Sequence, residues 1–323
     1  MMNLSNIKKM IYENNSFIIA GHVSPDGDCI GSAVALATAL LSIGKKVDIY
    51  LENFPRVFNY LNYDHKIDYV INKENSYDVF IALDCGDKTR LGEAIYYLEN
   101  IENTINIDHH KSNDFYGKLN CVQENISSTC EIIYDIFMDM DWDLSKNIAE
   151  ALFTGLVYDT GAFKHSNTSS KTLRVASSLL KYDINSSRII NKIFFSMSYT
   201  KTKMLGKALS NSELKFNNKM CIATIDINEF NQMGATSDDV SSVVQYLIQV
   251  EGVSVACFLY EKQKNLIKVS LRSEDEFDVS KFAQKFNGGG HAKAAGFTLM
   301  VPIEEAKIII EKEFQKQMNV KES

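Results

Sequence analysis

The stretch FIIAGHVSPDGDCIGSAVALATAL, residues 17–40, decides the fold. It opens on a continuous apolar run, Phe17-Ile18-Ile19-Ala20, and closes on small and aliphatic residues in a helical pattern. A strand without polar alternation is one buried on both faces, as in a parallel sheet sandwiched between helices. Between strand and helix stand His22, Asp26 and Asp28, three side chains able to hold a metal ion. They follow the carboxyl end of a strand, which is where open α/β sheets bind ligands. Asp26-Gly27-Asp28 superficially matches a calcium loop. The twelfth position counted from Asp26 is Ala37, however, where that loop needs a bidentate Glu, and a strand precedes it where a helix is required.

The same form, apolar run then Asp or His then a small residue, recurs outward from this stretch. Ile30–Ile43 reads as a helix stopped by Gly44, and KKVDIYLE as the next strand. YDVFIALDCG is a strand ending at Asp84, LGEAIYYLENI a helix, and NTINIDHH a strand ending at Asp108-His109-His110. GKLNCV supplies a fifth strand. From Ser127 to about Ser210 the chain reads as helical, and FTGLVYDTGAF brings in Asp159. Beyond Lys207 strands with short connections take over: two around Asn217-Asn218, then VSVACFLYE and LIKVSLRS. A helix, a loop and strand over GGGHAKAAGFTLMV, and a final amphipathic helix complete the chain. The expectation is an α/β protein: an N-terminal, doubly wound, mainly parallel sheet domain and a smaller C-terminal α+β domain with a mixed sheet. The boundaries read as 1–185 for the first domain, 186–207 for a helical connector and 208–323 for the second domain.

Composition agrees with that size and narrows the function. The 323 residues are 45% hydrophobic and 23% charged, enough for about two domains with their own cores. No apolar run reaches the roughly 18 residues of a membrane span, and MMNLSNIKKMIYENN has no signal-peptide core, so a cytoplasmic protein without membrane contact is expected. The net charge of −7 disfavours a non-specific binder of long nucleic acid but not a small phosphorylated substrate. Six cysteines without a CxxC pair read as buried, reduced thiols.

Two histidines (His22, His109) and four aspartates (Asp26, Asp28, Asp84, Asp159) make a ligand set that suits two divalent ions, with one carboxylate bridging. Mixed carboxylate and imidazole ligation favours Mn²⁺ over Mg²⁺, with Fe²⁺, Co²⁺ and Zn²⁺ also compatible. The lack of thiolate argues against a structural zinc. Ions about 3.5–4 Å apart clamp a phosphoryl group and lower the pKa of a water, which is why phosphatases and nucleases carry such clusters.

GHVSPDGDCIGS, ALDCGD, NIDHH and GLVYDTGAF resemble, in order, the four motifs of the DHH phosphoesterase superfamily. VSLRS and GGGHAKAAGF resemble the DHH-associated C-terminal domain, so the likeness covers nearly the whole chain. It implies that His22, Asp26 and Asp84 hold one ion and that Asp28, Asp84, His109 and Asp159 hold the other. Asp108 would orient an imidazole, and His110 would contact the phosphoryl oxygen or the leaving group. Arg272, Ser273, His291 and the bare backbone of Gly288, Gly289 and Gly290, read as a phosphate nest, would bind substrate. Lys293 and His165 are secondary candidates, and His65 reads as surface. Within the family the chain most resembles the bifunctional oligoribonuclease and pAp phosphatase subgroup. That implies hydrolysis of single-stranded RNA of a few nucleotides to mononucleotides and removal of the 3′-phosphate of pAp. Other readings are a pApA or cyclic di-AMP phosphodiesterase, an inorganic pyrophosphatase, and a non-catalytic nucleotide-binding module. A homodimer stays open.

Overall fold

The apolar run of residues 17–20 lies in β1 (Ser16–Ala20), inside a wholly parallel sheet. Its companions are β2 (Lys46–Tyr50), β3 (Ile67–Asp68), β4 (Val79–Leu83), β5 (Asn103–Asp108) and β6 (Leu119–Val122), in the order β3-β2-β1-β4-β5-β6. The computed structural model describes residues 4–61, 66–274 and 277–321, and His65 lies outside the described residues. The chain divides into two compact units, Met1–Ser196 and Met197–Ser323.

Burial explains the unbroken apolar strands of the first unit. Phe17 and Ile19 join a core with Ile30, Val34, Ile132 and Leu152, while Ile18 and Ala20 join Phe80, Ala82 and Tyr97 on the opposite face. The helices are α1 (Leu4–Glu13), α2 (Gly27–Ser42), α3 (Ile95–Asn100), α4 (Thr129–Asp139), α5 (Lys146–Asp159), α6 (Ser170–Leu179) and α7 (Ser186–Ile190). α2 starts at Gly27, earlier than the expected Ile30, because the Asp26 carboxylate accepts the N–H groups of Asp28 and Cys29 and caps it. The stretch LGEAIYYLENI does not form one helix. A 3₁₀ segment over Lys88–Ala94 bends at Gly92, where φ is 54°, and only then does α3 begin. α1, with Ile7 and Ile11 buried, and the two-residue β3 complete the unit and were not expected from sequence.

α2 and α5 cross closely because each carries a glycine at the contact. A Cβ on Gly31 would stand 2.5 Å from the Ala151 carbonyl oxygen, and one on Gly155 would stand 2.3 Å from Cys130 Sγ and 2.6 Å from Asp28 Oδ1. The crossing thus seats Asp28 as well as packing the core.

The second unit holds a mixed sheet in the order β11-β12-β10-β9-β8-β7. Its strands are β7 (Glu213–Lys215), β8 (Met220–Ile225), β9 (Val255–Gln263), β10 (Leu266–Ser273), β11 (Gly289–His291) and β12 (Ala294–Leu299). All neighbours pair antiparallel except β8 and β9, whose crossover carries α9 (Ile227–Gln232), α10 (Ser237–Val240) and α11 (Val243–Leu247). These helices and α8 (Tyr199–Ser210) cover one face; α12 (Val279–Gln284) and α13 (Ile303–Lys321) cover the other. The glycine segment expected as a loop is the extended edge strand β11. No described helix is long and apolar enough to cross a membrane, and all six cysteines are buried and unpaired.

Two glycine substitutions separate packing from propensity. Alanine in place of glycine inside a helix normally stabilises by about 0.5–1 kcal/mol. Gly206→Ala, on α8 with open space at its Cβ position, should gain that amount. Gly155→Ala should lose about 1–3 kcal/mol through overpacking and weaken divalent-ion binding by displacing Asp28. Urea unfolding of both variants checks this, and a stabilised Gly155→Ala would show that the α2–α5 contact has slack.

Candidate metal centre

The ends of β1, β4 and β5 meet at the point where the strand order reverses, between β1 and β4. His22 follows β1, Asp84 follows β4, and Asp108 closes β5 with His109 and His110 behind it. Asp26 and Asp28 come from the start of α2, and Asp159 from the last residue of α5. Six side chains from five segments converge there in two groups, and Asp84, His109 and His110 form a third that overlaps them. His22, Asp26 and Asp84 offer ligand atoms within 4.8 Å of one another, and so do Asp28, His109 and Asp159.

Asp84 joins the two groups. Its Oδ2 lies 3.7 Å from His22 Nε2, and its Oδ1 lies 3.5 Å from His109 Nε2. His22 Nε2 is 3.9 Å from Asp26 Oδ2; His109 Nε2 is 3.1 Å from Asp159 Oδ2 and 3.9 Å from Asp28 Oδ2. Atoms each about 2.1 Å from a shared cation stand about 3–3.5 Å apart, so these spacings suit two ions with little movement. Asp84 itself has φ 53°, in the left-handed region that Asp tolerates better than most residues, and this turns its carboxyl out of the strand end.

The imidazoles are held in usable states. His22 Nδ1 donates to the Val23 carbonyl at 2.7 Å, which leaves Nε2 with its lone pair toward Asp26 and Asp84. The Arg90 guanidinium packs 3.1 Å from that Nδ1. His110 Nδ1 donates to Asp108 Oδ1 at 2.7 Å, and Asp108 Oδ2 accepts from Asn113 Nδ2 at 2.6 Å. This fixes the half-exposed His110 ring with Nε2 unused by Asp108. Burial alone would raise the Asp108 carboxyl, but the bonds from His110 and Asn113 outweigh it and hold the group below the usual carboxylate range.

Asp28 shows how much charge the site concentrates. It is wholly buried, and its carboxylate accepts backbone N–H groups from Thr129 at 2.6 Å and Cys130 at 2.9 Å, at the N-terminus of α4. Those bonds favour the charged form. Burial, reinforced by repulsion from Asp159, still pushes its carboxyl up to about 7. Burial and repulsion from Asp28 also raise Asp84 well above the usual range. Burial would lower His109, but the hydrogen bond to Asp159 and the charge of Asp28 raise it to about 9.

Sequence reasoning missed the partners of these side chains. Thr129 and Cys130 bind through their backbones, and Thr129 Oγ1 also donates to Asp84 Oδ1 at 3.1 Å. The signal was Ser127-Ser128-Thr129 before an apolar helical run, which marks a helix start and its free N–H groups. Arg90 and Asn113 carried no spacing that sets them apart. The exposed His165 donates from Nδ1 to the Asp159 carbonyl, beside one group.

In the second unit, Arg272 pairs in register with Ala294 of β12, and Ala294 pairs with His291 of β11. Paired residues point to the same face, so Arg272 and His291 stand on one face two strands apart, about 10 Å. Ser273 does not join them. It faces the core, where its hydroxyl donates to the carbonyls of Phe277 (2.6 Å) and Ala292 (3.3 Å). Gly289 and Gly290 pair within β11, with Gly290 at φ 140°, while the Gly288 N–H is spent on the Ala283 carbonyl and so is not available to a phosphate. Lys293 is exposed, and its carbonyl accepts the Ser273 N–H.

Comparison with known proteins shows the family. Residues 16–156 match the DHH family, N-terminal domain, and residues 217–318 match the DHHA1 domain. The bifunctional oligoribonuclease and PAP phosphatase NrnA of Thermus thermophilus is 31% identical over 283 residues, 87% of this chain and 83% of that protein. The crystal structure of an exopolyphosphatase-related protein from Bacteroides fragilis is 26% identical with a TM-score of 0.86, covering 99% of this chain and 97% of the other. The exonuclease RecJ, solved bound to manganese, shares the fold at 13% identity and a TM-score of 0.55, over 97% of this chain and 93% of its own.

The raised groups set the pH dependence of metal binding. Asp28 folds with its carboxyl above the unfolded value near 4, so its contribution to metal-free stability is full below about pH 4 and lost as pH rises through about 7. The proton on His109 is lost higher, through about 9. A divalent ion must displace both protons. The rise in melting temperature caused by saturating Mn²⁺ should therefore be small near pH 5.5 and large near pH 8. A shift that is flat with pH, or absent at the higher pH, would refute the carboxylate–imidazole site.

Proposed function

Because this chain belongs to the DHH family, we propose that it is a metal-dependent phosphoesterase that cuts short oligoribonucleotides to mononucleotides and removes the 3′-phosphate of pAp. The observation that carries the reading is the shared carboxylate of Asp84, one oxygen toward each group of prospective ligands. His22, Asp26 and Asp84 hold one divalent ion in this reading, and Asp28, Asp84, His109 and Asp159 hold the other. Mn²⁺ is the ion best matched to this oxygen and imidazole set. Bound there, two such ions supply Lewis acidity at the phosphoryl oxygens and a water acidic enough to attack at neutral pH.

The chain's own residues do the rest. Asp108 and Asn113 hold the His110 ring, leaving its outer nitrogen to contact a phosphoryl oxygen or the departing oxygen. Asp28, fixed by the start of α4, keeps its oxygens in place without reorganisation when charge develops on phosphorus. Arg272, which has no carboxylate partner among the described residues, grips a second phosphate with His291 beside it, and so selects nucleotides over simple esters. The NrnA name of the Thermus relative, an oligoribonuclease and PAP phosphatase, supports this choice of substrates.

Two variants divide hydrolysis from anchoring. Asp84→Ala should abolish turnover of pAp and of bis-p-nitrophenyl phosphate alike, and excess chelator should do the same to the unmodified protein. Arg272→Ala should keep most activity on the generic ester, which has no second phosphate. On pAp it should lose about 1.5–3 kcal/mol, roughly tenfold to a hundredfold in kcat/KM. Full activity in chelator would end the two-metal reading; equal losses on both substrates in Arg272→Ala would end the anchoring role.

A further inference from the structure

Half of one face of the second sheet is left open. Along β10, Ile267, Val269 and Leu271 pack into the core with Phe282 and Phe314, whereas Lys268, Ser270 and Arg272 stand half-exposed on the other side. On that other side the apolar core beneath α8 to α11 is built from β8 and β9, where Ala223, Ala256 and Phe258 are buried, and α11 also reaches β10. Among the described residues, that core includes none from β10, β12 or β11.

The register shows what the open strip carries. Across β12, Lys268, Ser270 and Arg272 face Thr298, Gly296 and Ala294. On β11, Gly289 pairs with Gly296 and His291 with Ala294. One row therefore holds Arg272 and His291, the next holds only Ser270, Gly296 and Gly289, and the third holds Lys268 and Thr298. Cationic rows flank a row nearly bare of side chains. At the Lys268 end lies an open cavity of about 560 Å³, lined by Tyr260, Lys268, Ser270, Asn287, Gly296 and Thr298 among others. Its lining has one cation and no carboxylate, in a chain of net charge −7. Lys268 Nζ is steadied by a 2.9 Å bond to Thr298 Oγ1 and has no carboxylate partner among the described residues.

We infer that this cavity receives a further nucleotide of the substrate strand, with Lys268 as the contact for its phosphate. The occupant follows from the geometry and the charge. Four residues along a strand span about 13 Å, longer than one nucleotide step, so Arg272 and Lys268 cannot both hold the phosphates of pAp. A strand of several nucleotides can engage both, with its ribose and base over the bare row. Lys268 is thus a specificity residue for length. The inference rests on the reading of this protein as an oligoribonuclease.

The test compares the unmodified protein with Lys268→Ala and Lys268→Arg on a 5′-phosphorylated pentaribonucleotide and on pAp, in Mn²⁺, across a KCl series. Lys268→Ala should raise KM for the pentanucleotide about tenfold with kcat little changed, leave pAp kinetics near those of the unmodified protein, and be rescued by Lys268→Arg. Its slope of log kcat/KM against log salt should fall by about 0.7, the release of one counterion from a single strand. An unchanged pentanucleotide KM in Lys268→Ala overturns the inference while leaving the oligoribonuclease reading intact. Equal losses on both substrates overturn it too, because Lys268 then serves the fold or the common anchor. An unmodified protein active on pAp but inert on the pentanucleotide removes the oligoribonuclease reading and this inference together.

Discussion

Four carboxylates share a small buried volume with two imidazoles, and the repulsion among them is the constraint around which the first unit is built. Asp28 and Asp84 are almost wholly removed from water, where an unpaired charge is costly. The fold answers part of that cost with fixed donors. The start of α4 gives two N–H groups to Asp28, the start of α2 gives two to Asp26, and Thr129 gives a hydroxyl to Asp84. These donors are too few: burial and mutual repulsion still hold Asp28 and Asp84 above the usual carboxylate range. What remains is a deficit of positive charge, of the kind that divalent ions can fill without adding bulk. Function and instability are the same feature of this strand end.

The two units use similar residue types for opposite ends. In the first, glycines at 31 and 155 let helices approach until a carboxylate is locked between them. In the second, Gly289 and Gly296 pair across β11 and β12, and at Gly289 the missing side chain leaves open space. A sheet buried on both faces gives a rigid rim for chemistry; a sheet half uncovered gives a strip along which a flexible substrate can lie.

Much of the first unit was legible because its signals are strong and local. Unbroken apolar runs ending in Asp or His can be satisfied by few folds, and β1, β4 and β5 were read that way, with β2 and β6 read from the alternation of strands and helices around them. What escaped reading had no side-chain signal. β3 is two residues long, and the donors to Asp28 are backbone groups that any residue could supply. The second unit was legible in class but less so in detail. GGGH reads as a turn because glycine weakens strands, yet β12 supplies the pairing that keeps Gly289–His291 extended.

Ser273 shows a signal that was present and went unused. In LIKVSLRS the apolar residues Ile267, Val269 and Leu271 alternate with Lys268, Ser270 and Arg272, and the period of two places Ser273 with the apolar set. A hydroxyl on the buried face must find acceptors, and it finds the carbonyls of Phe277 and Ala292. Ala292 follows His291 directly, in the short turn between β11 and β12. One buried hydroxyl thus ties the end of β10 to the turn that carries His291, while Arg272 sits one residue away on the opposite face. The serine of VSLRS thus works from the buried face, bracing the strand end that carries Arg272 against the turn that follows His291.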